Sequence, residues 1–494
     1  MKNRAAAAFI FMSLLIGLVL TSCDKEDQYI QLPGVQGPLE ESRPVIEEAT
    51  PWESYSRGGR SRLAVYLHDD DSPWLGLVHG LKSIGVPFLV TDSLEAALEH
   101  SVVLTYPRLR KKDLEDHHTA MLHQFVRDGG VLLGTLIDAE PLYGLFGFED
   151  LEIGRNWYEI TYAESEYTSD FIYPRERTIR IGNPDRPKTF LRSIAYSHPQ
   201  EVLAEYDDGS AAIVRRKIGE GEAIAVGFDL GFYIKKAQNN RDEEAGRAYV
   251  NEFEPSVDTV LRYIKNIYRM NEPLAATLHT APDGYPLSVI ISHDVDYSGS
   301  LANSITYAEY QRSMGYGATY FMQTKYFEDF FDEVFFDERT TTLLTELEQL
   351  DMELGSHSVS HTDMFARVPR GNYRESYPDY QPRIIEFFYT RDATVTGEIR
   401  VSKFLIEELS DSTVVSFRPG FLANPSSLPE VLQAAGYRYS STVTANDVMT
   451  HLPFRQTYGR GYDMELSVYE FPITVEDEKP PEMDQRLDEA VELA

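Results

Sequence analysis

A single cysteine, Cys23, occurs among 494 residues, so no internal disulfide can brace the fold. Basic residues are scarce as well: 46 Lys and Arg stand against 79 Asp and Glu, for a formal net charge of −33. A chain this acidic repels phosphate backbones and anionic headgroups, which argues against nucleic acid as a partner. Beyond the first twenty residues no apolar run approaches the length of a transmembrane helix. Internal repeats and low-complexity tracts are missing too. Even so, 42% of the residues are hydrophobic, which is material for two or three cores.

At the N-terminus, Lys2 and Arg4 precede an apolar run from Ala5 to Leu20, closed by Leu20-Thr-Ser-Cys23. The run is short for a membrane span, and residues 1–23 resemble a bacterial lipoprotein signal peptide. That resemblance implies lipid attachment at Cys23 and a membrane anchor. Asp24-Lys-Glu-Asp27 is similar to the surface-export signal of some Gram-negative lipoproteins. The expected location is therefore the outer face of a bacterial outer membrane, with a periplasm-facing anchor as the alternative. Residues 24–60 are rich in Pro, Gly, Glu and Ser without hydrophobic period, and predict a flexible linker.

Strand and helix patterns alternate over residues 61–270. Strands are predicted at Leu63–Leu67, Pro87–Val90, Val102–Tyr106 and Val131–Leu136, with a helix over Gly76–Ile84. This alternation implies an α/β unit with a parallel sheet. The stretches Phe125-Val-Arg-Asp-Gly-Gly-Val-Leu-Leu-Gly134 and Gly219-Glu-Gly-Glu-Ala-Ile-Ala-Val-Gly-Phe228 resemble the class I glutamine-amidotransferase-like fold, a flavodoxin-like arrangement. Amidotransferase chemistry needs a cysteine nucleophile on a tight turn, and the mature domain has none, so that activity is excluded. The domain is expected to be a scaffold or a glycan-binding partner. Asp69-Asp-Asp71 offers ligands for a cation or for sugar hydroxyls, or is simply an exposed polar loop.

The chemistry concentrates later. Ser292-His-Asp-Val-Asp296 follows the apolar run Leu287–Ile291, and is answered by His357-Ser-Val-Ser-His361 and then by Arg418-Pro-Gly420. Asp296, His357 and His361 supply one carboxylate and two imidazoles, a set that leaves positions open on a catalytic divalent metal. The i, i+4 spacing of the histidines predicts a shared face on one helical turn. Leu287–Ile291 predicts a doubly buried parallel strand that delivers the acids at its C-terminal end, where α/β barrels gather their active sites. The plain alternative is a set of surface acids with a helix-capping histidine pair, and for Arg418 a structural ion pair.

These motifs resemble the NodB-homology polysaccharide deacetylases, the carbohydrate esterase family 4 type, over residues 281–494. The resemblance implies a distorted (β/α) barrel in which Asp294 is the catalytic base and Asp296, His357 and His361 hold Zn2+ or another divalent transition metal. Arg418 would orient the base, and a backbone N–H near Gly420 or Phe421 would face the oxyanion. The Asp-x-Asp spacing departs from the commoner adjacent pair and resembles a variant of peptidoglycan-deacetylase-like members. Ala318-Thr-Tyr-Phe321 is similar to the second barrel strand of the family, and Gly436-Tyr-Arg-Tyr-Ser-Ser441 to a later one. The implied reaction removes N- or O-linked acetyl groups from an acetylated polysaccharide.

A further family histidine, on a late Leu-x-His strand, protonates the leaving group. Here only His451 follows the arginine motif, in the loop-like Met449-Thr-His-Leu-Pro453. Three expectations result: a C-terminally truncated domain, the reading taken because the chain stops inside a helical pattern; His451 as substitute acid; or a weakly active or inactive glycan-binding surface lipoprotein. Elsewhere, Phe327, Phe330, Phe331, Val334 and Phe335 recur with helical period and predict a buried helix face. Tyr373, Tyr377, Tyr380 and Tyr389, set among arginines and prolines within Arg367–Arg391, predict a sugar-stacking cleft wall or an ordinary surface loop. Leu466–Val475 predicts a strand and Asp484–Leu493 a helix.

Overall fold

Five parallel strands form the centre of the first sheet: β1 (Leu63–Leu67), β2 (Phe88–Thr91), β3 (Val102–Tyr106), β4 (Val131–Thr135) and β5 (Gly221–Val226). Their order, β2-β1-β3-β4-β5, is that of flavodoxin-like doubly wound sheets. Burial on both faces explains the near-continuous apolar runs, since every residue of these strands except Thr91 is buried. Beyond β5 the sheet continues antiparallel through Ala211–Ile218, Glu201–Tyr206, Glu159–Tyr162 and Thr178–Arg180. Asp69 closes a local turn, accepting from the Asp71 N–H while its carbonyl accepts from the Ser72 hydroxyl. The acidic triplet therefore caps a loop.

This computed structural model describes residues 29–35, 39–185, 190–239, 251–330, 334–461 and 463–493. The signal-peptide reading and Cys23 lie outside the described residues. From Tyr29 onward the expected flexible linker is instead laid on the second unit. Tyr29 bridges Phe327, the Ile30 N–H donates to the Tyr326 carbonyl, and Leu32 is buried with its N–H on the Tyr377 hydroxyl. Leu39 and Glu40 are tied to Ser376 and Arg400, and the Thr50 N–H reaches the Asp463 carbonyl. Composition was misleading here because a strap bonded through its backbone needs few apolar side chains.

The second unit contains β6 (Ser292–Val295), β7 (Thr319–Met322), β8 (Glu353–Ser356), a ribbon of β9 (Arg383–Glu386) and β10 (Tyr389–Arg391), then β11 (Ser416–Phe417), β12 (Tyr439–Ser440), β13 (Phe454–Thr457) and β14 (Glu465–Glu470). The main sheet runs β6-β7-β8-β11-β12-β14-β13, parallel except for the last pairing. Among the described residues no ladder joins β6 to β13. The structure is thus mixed α/β with parallel sheets, and its hydrogen-bonded order is open where a closed barrel was expected.

Two predicted elements are absent. Leu287–Ile291 is not a strand, and Val289 and Ile290 lie exposed; pairing begins one step later, in β6 itself. Phe327, Phe335 and Phe336 are buried, but the segment carries no helix among its described residues, and Phe331 lies outside them. Tertiary burial of separate aromatics produced a helical period by coincidence. The predicted strand over Leu466–Val475 ends early, at Glu470, whereas the last helix forms over Met483–Leu493.

Candidate metal centre

Side chains alternate along a strand, so Ser292, Asp294 and Asp296 point to one side of β6 and its exit. His293 and Val295 point to the other. There His293 stacks on Tyr320 and Tyr307 and contacts the amide of Gln311, while Val295 enters the core. The Asp-x-Asp spacing is therefore what places both carboxylates in one cleft. It also makes His293 a packing residue.

The two candidate ligand histidines, His357 and His361, follow β8 in a loop, which corrects the expected helical turn. Ser358 and His361 adopt left-handed φ values of +68° and +54°, so the loop doubles back and brings the rings to 4.9 Å between centroids. Glu398, a residue the sequence reading missed, holds that loop. Its carboxylate is fully buried and accepts the N–H groups of Val359 and Ser360, both at 2.8 Å, the Ser360 hydroxyl at 2.7 Å and the Tyr380 hydroxyl at 3.2 Å. Burial pushes its pKa up, against those bonds. The available signal was one acid on the buried face of the helix Val395–Leu409. Glu398→Ala strands the two buried N–H groups and deprives the Ser360 and Tyr380 hydroxyls of an acceptor; metal affinity, read by competition with a chelator, is expected to fall about 10- to 100-fold, while Glu398→Gln retains most of it.

Asp296 Oδ1 lies 3.0 Å from His357 Nε2 and 3.5 Å from His361 Nε2. Two ligand atoms of a tetrahedral zinc, each at about 2.0–2.1 Å from the ion, are separated by about 3.3 Å, so these spacings fit one ion. His357 Nδ1 bonds the Arg418 carbonyl at 2.8 Å, an outer contact that aims Nε2 at the cleft. With Nδ1 as donor, Nε2 turns its lone pair toward a carboxylate, so a cation or a proton belongs between them. Burial would lower the His357 pKa, but Asp294 and Asp296 outweigh it and raise it. For His361, burial and the adjacent His357 lower it to about 4.

Arg418 organises the second carboxylate. Its guanidinium donates to Asp294 Oδ1 at 2.8 Å, to the hydroxyls of Ser292 and Ser441 at 2.9 Å each and to the Ser441 carbonyl at 3.3 Å, while lying over the Phe321 ring. It thus spans β6 and the exit of β12 by side-chain bonds where no ladder does. Burial would raise the Asp294 pKa; the charges of Arg418 and His357 prevail and hold it below the usual carboxylate range. Asp294 Oδ2 stands 4.0 Å from His357 Nε2, beside the ligand triad and outside it.

Gly420 is required by close approach, since a Cβ there would meet the His361 ring at 2.6 Å. Phe421 follows at φ +57° with its ring exposed and 4.8 Å from that of His361. The predicted site residues Asp294, Asp296, His357, His361, Arg418, Gly420 and Phe421 are therefore brought together. His451 is not. Its ring accepts from the Glu254 N–H and lies against Phe253, and its own N–H donates to Asp258, all three at or just before the helix Ser256–Asn271. The substitute-acid expectation is corrected: the loop Met449–Pro453 packs on the helix Ser256–Asn271.

Burial, with Arg486 second, lowers the His451 pKa to about 3. An unfolded histidine binds its proton near pH 6.5, so this residue removes stability as pH falls from that value toward the folded one. His451→Gln is therefore expected to flatten the acid limb of a urea-unfolding series between pH 7 and 4 by about one proton.

A second group able to hold an ion, Glu95, His117 and His118, sits on the surface of the first unit. The first unit therefore offers a place where added metal can collect away from Asp294.

Residues 303–440 match the family model for polysaccharide deacetylase. Among curated proteins none matches the chain in sequence. Of solved structures, it is similar to Agd3, described as a novel carbohydrate deacetylase, at 11% identity over 77% of this chain and 65% of that one, with a TM-score of 0.35. It is also similar to a catalytic mutant of Gan42B, a GH42 beta-galactosidase from G. stearothermophilus (17% identity, 40% and 31% covered, TM-score 0.26). A third is the cytoplasmic protein STM1381 from Salmonella typhimurium LT2 (10%, 42% and 99%, TM-score 0.30). The chain spans about a third of the length of the galactosidase.

Proposed function

We propose that this chain is a metal-dependent deacetylase of an acetylated polysaccharide, lipid-anchored through Cys23 and exposed at the outer face of a bacterial outer membrane. One observation carries the catalytic part: an ionised carboxylate, Asp294, bonded by Arg418 and set directly beside an Asp296–His357–His361 ligand triad. The match of residues 303–440 to the polysaccharide deacetylase model supports the substrate class.

Asp296, His357 and His361 would hold the metal, zinc being favoured by the ligand types. When bound, such an ion supplies a water of lowered pKa and polarises the acetyl carbonyl. Asp294, kept ionised and aimed by Arg418, takes the proton of the attacking water at one carboxylate oxygen. The backbone N–H of Gly420 or Phe421 receives the carbonyl oxygen as charge develops. Among the described residues no third histidine reaches the cleft, His451 being bound to Asp258 and Glu254; Asp294, once protonated, is placed to return that proton to the leaving amine or alkoxide.

The test is acetate release from a panel of N- and O-acetylated glycans by the zinc-loaded full chain. Asp294→Asn should lower kcat by about a thousandfold with metal retained, since the amide cannot accept the proton. Release unaffected by that variant would remove Asp294 as the base. No release from any glycan by metal-loaded wild type would leave the glycan-binding alternative.

A further inference from the structure

The tyrosines expected to wall the cleft turn inward: Tyr373, Tyr377 and Tyr380 are 5–6% exposed and belong to the core. A different aromatic group emerges from the same segment. At the tip of the β9–β10 ribbon Phe387, Phe388 and Tyr389 are 64%, 72% and 51% exposed, and Phe330 packs edge-on against Phe387 with ring centroids 5.6 Å apart. Three consecutive large rings directed at water, joined by a fourth and by exposed Ile385, make a patch of the kind that marks a binding surface.

The patch is fastened to the metal loop. The Phe388 N–H donates to Asp363 Oδ2 at 3.1 Å, and the Thr390 and Thr362 hydroxyls bond at 2.5 Å, Thr362 being the residue after ligand His361. The exposed ring of Phe421 also lies against His361. Exposed aromatic rings therefore stand both at the ligand loop and on the ribbon bonded to it.

We propose that this ribbon is an extended subsite for the polysaccharide chain, on which sugar rings flanking the reacting residue stack. The occupant is a β-linked acetylated pyranose polymer, because equatorial substituents leave flat C–H faces that match exposed rings. The inference rests on the deacetylase reading for the identity of its ligand. A membrane surface is the less fitting occupant: interfacial anchors flank their aromatics with Lys and Arg, whereas the tip carries Glu386 and Asp392 beside Arg391, on a chain of net charge −33.

The test is affinity electrophoresis of the full chain carrying Asp294→Asn, so that binding is read without turnover, in gels containing glycol chitin, acetylated xylan or dextran. Retardation by at least one of the two β-linked polymers and not by dextran is expected. Adding Phe387→Ser and Phe388→Ser should weaken it about tenfold, and Phe387→Tyr with Phe388→Tyr should preserve it. In the active chain the serine pair should raise KM on the polymer about tenfold and leave kcat on a small acetyl ester unchanged. No retardation by either β-linked polymer, equal retardation of the serine variant, or loss in that variant of sedimentation with phosphatidylglycerol vesicles would overturn the proposal. Binding that depends on the ribbon, in a chain that releases no acetate, would retain the subsite and remove the hydrolase.

Discussion

His357→Ala is expected to reduce tightly bound metal from about one ion per chain to none, as read by elemental analysis after passage over a weak chelator. The substitution removes one of the three proposed ligands and also the bond to the carbonyl of Arg418, the arginine that on the proposed mechanism aims the base. Acetate release should fall with it by about a thousandfold, the scale of losing an activated water. Wild-type chain that retains no ion under the same conditions would sink the metal-dependent reading. Metal retained by the alanine variant would point to the surface group of Glu95, His117 and His118, which His117→Ala would then empty.

Removing the guanidinium tests a different part of the site. Arg418→Met deprives Asp294, Ser292 and Ser441 of a shared donor at once. Breaking a fully buried pair costs roughly 3–5 kcal/mol; since the Asp294 side chain is 37% exposed, about 2 kcal/mol is the expected loss of unfolding free energy. A drop of about a hundredfold in kcat, with metal content unchanged, should accompany it. Arg418→Lys should rescue little, because a single ammonium cannot fork to a carboxylate and two hydroxyls together. Full activity in the lysine variant would reduce the arginine to a structural tie.

How much of this was legible beforehand differs from element to element, for physical reasons. Strands β1, β3 and β4 were readable to within a residue because double burial writes itself as an unbroken apolar run. The same rule failed at Leu287–Ile291, where apolar residues approach the site exposed and only β6 pairs. Side-chain chemistry was more transparent than geometry. Seven of the candidate residues assemble in one cleft, yet the histidine spacing suggested a helical turn and proved to be a loop with two left-handed residues.

Glu398 was invisible because its partners are backbone N–H groups, which no residue type announces. His451 looked like a substitute acid only because it was the last histidine in the chain. The three buried tyrosines and the exposed Phe387 and Phe388 show the same limit: aromatic composition marks a segment without saying which rings turn inward.

The strap that begins at Tyr29 would set how far the proposed deacetylase can work from its proposed anchor. Had residues 24–60 been a free leash, a lipid at Cys23 would have let the catalytic half roam far from the bilayer. Tyr29 and Leu32 are instead fixed to the half that carries the metal loop, so on the proposed anchoring only residues 24–28 separate lipid from fold. Five residues reach at most about 18 Å when fully extended. On that anchoring the site would be moored close to the bilayer, and polymer would have to be drawn down to it.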